Sequence, residues 1–137
     1  MGERARLCGV AEGFQKVKGL RVEVEKVRFM PELEAPKDRP YPFVYFISII
    51  NDSDQVVRIS GRKWVLKDRD GDTVIVEGEG VVGEKPQLGP GERFNYRSYH
   101  VVKSETEVTG SFFGNDAKGE RVSVSIPGFL LKVPDGP

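Results

Sequence analysis

A single cysteine, Cys8, and a single histidine, His100, deprive this 137-residue chain of several common chemistries. One thiol cannot close an intramolecular disulfide, and a chain without disulfides suits a reducing compartment, so a cytoplasmic location is expected. Cys8 and His100 are also far apart in sequence and fall short of a zinc or cobalt ligand set, so neither a bound metal nor a cofactor is expected. Excess charge is missing too, with 21 Lys and Arg against 21 Asp and Glu. Without a basic excess there is little counterion release to drive binding to nucleic acid, which is not an expected partner. No run approaches the ~18 apolar residues of a membrane span. The opening residues are charged and glycine-broken, unlike a signal peptide, and Arg6 stands where a myristoylation pattern wants Ser or Thr. No membrane partner is expected. Sustained helical periodicity, internal repeats and low-complexity tracts are likewise absent.

What is present is period-two alternation. Leu20, Val22 and Val24 share one side of an extended segment, and the pattern resumes at Val27 and Phe29 after a one-residue shift that predicts a β-bulge. Residues 43–50 are aromatic and β-branched almost throughout, as in an inner strand of a sandwich, and Asn51, Asp52, Ser53 and Asp54 stop them. Val56 to Ile59 and Lys63 to Leu66 form one strand interrupted at Ser60-Gly61, with Asp70-Gly71 as a two-residue hairpin signal before Thr73. Phe94, Tyr96 and Ser98 alternate in a further strand. A last hairpin joins segments 108–112 and 121–126. Sixteen glycines and nine prolines between short strands point to two packed antiparallel sheets. The expected organisation is an N-terminal extension over residues 1–19, one domain over 20–131 and a tail over 132–137, with residues 32–40 as a polar connection.

Gly78, Glu79, Gly80, Val81, Val82 and Gly83 spell G-x-G-x-x-G directly after the strand-like Thr73 to Val76. A dinucleotide site needs the third glycine to open a helix, and Pro86 and Pro90 deny it one. Two readings remain. Glycines with positive φ can converge backbone N–H groups into an anion nest, with Arg62 and Lys85 adding charge, although Glu77, Glu79 and Glu84 crowd the stretch with negative charge. Alternatively they shape a bulge or tight bend, as sheet glycines commonly do.

Taken together, Tyr41-x-Phe43-x-Tyr45, Ile49-x-Asn51, Arg62-x-Trp64, the glycine motif, Pro90-Gly91-Glu92-x-Phe94-x-Tyr96-x-Ser98, Gly110-x-Phe112 and Ile126-Pro127-x-Phe129 resemble the ApaG family in that order. The match runs over residues 20–131. It departs from the family pattern at Arg62-Lys63-Trp64, where an aromatic–histidine–tryptophan run is common, and after Ser98, where a Thr-Pro-x-Gly turn is missing. The resemblance implies an immunoglobulin-like or fibronectin type III-like β-sandwich. It also implies a non-catalytic binding domain associated with cobalt and magnesium efflux or resistance, and a pyrophosphate or nucleotide-like anion at the glycine motif.

Other chemistry has weaker support. Asp68-Arg69-Asp70-Gly71-Asp72 alternates carboxylates like a calcium loop, but its glycine comes one step early and no glutamate closes it. Ser98 and His100 share a strand face without an orienting acid, so a polyphosphate hydrolase is disfavoured. Tyr41, Phe43, Tyr45 and Trp64 are assigned to the core rather than to an exposed patch. Open sheet edges leave a protein partner, or a second copy of the chain as a homodimer, as the alternative mode of action.

Overall fold

The computed structural model describes residues 13–134; the expectations for Cys8 and the first residues lie outside that range. Among the described residues there are nine strands and no helix. They are β1 (Gln15–Lys16), β2 (Leu20–Phe29), β3 (Tyr41–Asn51), β4 (Val57–Asp68), β5 (Thr73–Glu79), β6 (Gln87–Leu88), β7 (Arg93–Val102), β8 (Thr106–Asp116) and β9 (Arg121–Leu131). One sheet runs β1-β9-β8-β4-β5, with β6 also on β4, and the other runs β2-β3-β7. Apart from parallel β1 and β9, neighbours pair antiparallel. This is the expected immunoglobulin-like, fibronectin type III-like sandwich. β1 lies before Leu20, so the sheets extend into the stretch that precedes the alternating pattern.

Each sheet turns its apolar alternation inward. Leu20, Val22, Phe43, Tyr45, Ile47 and Ile49 of the three-stranded sheet meet Ile59, Trp64, Leu66, Val108, Phe112, Val124 and Ile126 of the larger one. The shift between Val24 and Val27 is a bulge in the β2–β3 register, and the Ser60-Gly61 interruption is a bulge inside a continuous β4.

Two hairpins are longer than the sequence suggests, for one shared reason. Asp68 and Asp116 end β4 and β8, and the Oδ1 of each accepts two backbone N–H groups, from Asp70 and Asp72 and from Lys118 and Glu120. Three residues on, Gly71 and Gly119 adopt positive φ, 90° and 83°, and donate back to the aspartate carbonyls. The side chain thus completes a turn that Asp70-Gly71 alone was expected to make. With Asp68 Oδ1 so engaged, and Lys103 Nζ 3.6 Å from Asp68 and 2.5 Å from Asp72, this segment is a turn with its own cation.

Asn51 closes the other end of β3. Its Nδ2 donates to the carbonyls of Gln55 (2.8 Å) and Leu88 (2.9 Å), while its Oδ1 accepts from the amide and hydroxyl of Ser53. A fully buried amide is tolerated because it is satisfied.

Gly114 sits where β8 passes the β4 bulge, and a Cβ there would collide with the Arg58 carbonyl. Gly114→Ala is therefore expected to lower the free energy of unfolding by about 1–3 kcal/mol in urea titration. An unchanged denaturation midpoint would show that the bulge yields freely.

Candidate functional site

The glycine motif is best understood from the strand beside it. Alternation along β4 puts Arg62 on the inner face with Trp64 and Leu66, and the registers place Gly78 of β5 and Phe112 of β8 opposite it. Gly78 lacks the side chain that would fill this position, and the Arg62 guanidinium takes the space. A Cβ on Gly78 would lie 2.8 Å from both terminal guanidinium nitrogens. From there Nη1 donates to the carbonyls of Glu79 (2.9 Å) and Gly80 (3.1 Å).

Beyond Gly78 the backbone folds on itself. The Gly80 amide donates to the Ser60 carbonyl at 2.7 Å, and Val81 and Glu84 exchange hydrogen bonds of 2.7 and 3.0 Å. Gly80, Val82 and Gly83 have φ of 69°, 44° and 83°. Positive φ at both Val82 and Gly83 makes the tip a type I′ turn. Gly80 also faces the Glu84 carbonyl at a distance that excludes a Cβ. Val82 is unusual, because a β-branched residue in the left-handed region is strained, and its side chain is exposed. Val81 is buried. Lys85 Nζ lies 3.5 Å from Glu79 Oε1.

Of the residues expected to meet an anion, then, Gly80 and Val81 donate their amides within the fold, and Arg62 is turned to carbonyls. Val82, Gly83 and Lys85 stand at the outer turn. The turn-shaping role of the glycines is visible directly. The Arg62–Gly78 contact escaped the sequence reading, although the alternation Arg62-x-Trp64 already puts both side chains on one face.

The second cluster lies deeper. Trp64 and Tyr45, from opposite sheets, cross edge to face with centroids 5.1 Å apart, and His100 packs on both, 5.1 Å from Tyr45 and 5.4 Å from Trp64. Tyr45 and Trp64 belong to the core, as expected. Burial pushes the Tyr45 phenol far above its ordinary range and drops His100 to about 4. Both groups are therefore neutral at neutral pH. The phenol keeps a proton to donate, and the neutral ring keeps a bare nitrogen to receive it, which accounts for the Tyr45 hydroxyl to His100 Nε2 hydrogen bond. The neutral histidine packs against the two core rings. Among the described residues no group of three His, Cys, Asp or Glu is placed to hold a metal ion.

A family model described as the ApaG domain matches residues 31–116. A protein ApaG from Rhodopseudomonas palustris is 36% identical over 118 residues, covering 85% of this chain and 91% of that one. A protein ApaG from an Azoarcus species is 38% identical over 123 residues, covering 88% and 97%. The crystal structure of an ApaA protein from Bordetella pertussis superposes with a TM-score of 0.75 at 30% identity, covering 88% of this chain and 99% of that one.

Two measurements probe these clusters. Gly78→Ala should destabilise the protein by about 1–3 kcal/mol by displacing the guanidinium, and the penalty should largely disappear in an Arg62→Ala background. Equal penalties in both backgrounds would mean that Arg62 is not what the glycine accommodates. His100 gives the second measurement, since its resonances are free of overlap from other histidines. Its depressed pKa means that the unfolded chain binds a proton at higher pH than the native one. Stability is therefore whole above pH ~6.5 and falls by about 3 kcal/mol as pH drops toward 4. Denaturation profiles of the wild type and His100→Gln should diverge only in that window, and an NMR titration midpoint near 6.5 would contradict the burial argument.

Proposed function

The chain belongs to the ApaG family, and we propose that it works by binding rather than by chemistry, as an interaction module in the handling of cobalt and magnesium. The observation that carries this reading is the direction of its reactive side chains. The buried Tyr45 hydroxyl engages the half-buried His100, while the surface offers large apolar side chains, Ile75, Val82, Tyr99 and Leu130, among charged neighbours. These exposed side chains are the contacts we assign to a partner. The cobalt and magnesium setting rests on the family resemblance, and a partner protein is the simplest carrier of it. A cytoplasmic setting accords with the scarcity of cysteine. No described helix is long and apolar enough to cross a membrane.

A second reading keeps pyrophosphate or a nucleotide-like anion at the turn of Val82, Gly83 and Lys85. It is favoured by the strain at Val82, since strained exposed backbone tends to gather at ligand sites. Both readings meet in one experiment. Purified protein incubated with magnesium pyrophosphate should return it unhydrolysed, and turnover that follows the protein through successive purification steps would overturn a binding role. Calorimetry with the same anion tests the second reading: heat that saturates and is lost in Lys85→Ala supports it, and absence of heat rejects it.

A further inference from the structure

The outward face of the three-stranded sheet is divided into two halves of different character. Its rows follow from the registers: Arg21–Ile50–Arg93, Glu23–Ser48–Asn95, Lys26–Phe46–Arg97 and Arg28–Val44–Tyr99. In the first two rows charge is internally matched. Arg21 pairs with Asp52 and Glu23, Arg93 pairs with Glu25 at 3.0 Å, and Glu25 also accepts from Ser48. Ile50 is buried between its flanking arginines, as arginine stems can cover an apolar neighbour.

The other two rows lack this matching. Lys26, Arg28 and Arg97 are exposed and pair with no carboxylate among the described residues, yet they flank Phe46 and Val44. Here the connection after β2 rises beside the sheet, so that Met30 and Leu33 form a wall over a floor of Phe46, Val44 and Tyr99. The resulting half-open cleft of about 690 Å³ has Arg28 and Arg97 on the sheet and Glu32 and Glu34 on the wall. Its volume suits a ligand, and a floor with a single wall suits a chain passing through rather than an enclosed small molecule.

We propose that this cleft binds a short acidic segment of a partner protein, with apolar side chains on Phe46 and Tyr99 bracketed by carboxylates that meet Arg97 in the cleft and Lys26, beside Phe46, at its edge. The proposal deepens the binding-module reading and rests on it. The chemistry follows from charge complementarity on the sheet. Lys26 and Arg97 lie two strands apart, roughly 10 Å, close to the ~9 Å repeat of a polyproline II segment, in which residues three apart also face the same way. Glu32 and Glu34 set the polarity, because carboxylates are welcome over the sheet and repelled from the loop wall. Specificity thus comes from attraction on one side and repulsion on the other.

The test uses the full chain and a fluorescein-labelled peptide with Glu-Leu-Leu-Glu between glycine-serine flanks, read by anisotropy at low salt. The proposal expects saturable binding that weakens about tenfold or more in Arg97→Glu and in Phe46→Ala. It should change by less than about twofold in Arg93→Glu, on the matched half of the same face, with all variants melting like the wild type in circular dichroism. A Gln-Leu-Leu-Gln peptide should bind weakly, and inorganic pyrophosphate should not compete. Absence of saturable Glu-Leu-Leu-Glu binding, equal binding by the two peptides, equal loss in Arg93→Glu and Arg97→Glu, or displacement by pyrophosphate would each overturn the cleft while leaving a binding role elsewhere. Peptide binding that is absent in a protein found to hydrolyse pyrophosphate would overturn both.

Discussion

The contact on which this sandwich depends is the crossing of Trp64 from one sheet with Tyr45 from the other. Two sheets pack about 10 Å apart, and few side chains span that gap alone. An indole and a phenol meeting edge to face fill it while bringing their favourable quadrupole geometry. Phe112, Phe129 and His100 complete the cluster, with aromatic contacts between 5.1 and 6.4 Å. The buried phenol needs a hydrogen-bond partner, and the unprotonated histidine supplies one. What looks like an isolated reactive pair is thus a consequence of packing two large aromatic rings against each other.

Large inner residues on β4 require relief from their neighbours, and glycine provides it. Trp64 is opposite Gly110 of β8, whose notional Cβ would lie 3.2 Å from the indole, and Arg62 is opposite Gly78 of β5. These motif residues are dispersed along the chain, yet the register joins them in pairs of one bulky and one minimal side chain. The G-x-G-x-x-G run combines three separate demands: space for a guanidinium at Gly78, close approach to a carbonyl at Gly80, and left-handed backbone at Gly83. No phosphate is needed to explain any of them.

Charge distribution on the outer faces obeys a different logic. Three of the four rows on the three-stranded sheet place an apolar residue of β3 between residues of β2 and β7 that carry polar groups, and the fourth places Ser48 there. Whether the flanking cations find carboxylates depends on Asp52, Glu23 and Glu25 at one end and on the wall after β2 at the other. The bulge at Glu25 shifts β2 by one residue, so Lys26 rather than Glu25 stands beside Phe46. One inserted residue thereby separates a self-neutralised surface from one with unmatched cations.

Alternation of apolar residues was enough to determine the seven long strands, the sandwich class, the bulge near Glu25, the interruption at Ser60-Gly61, and the core positions of Tyr45 and Trp64, because burial acts on every second side chain and leaves a local trace; the two-residue strands β1 and β6 are too short to leave one. The ordered motifs likewise pointed to the family. Register was not readable in this way, since it depends on contacts between residues distant in the chain. Hence the pairing of Arg62 with Gly78, the carboxylate-closed turns at Asp68 and Asp116, and the commitment of the Gly80 and Val81 amides emerged only in three dimensions. The sequence presented glycines, arginines and a histidine as possible ligands. Tertiary structure decided which of them face solvent, because the neighbouring strand determines what space and which hydrogen-bond partners each receives.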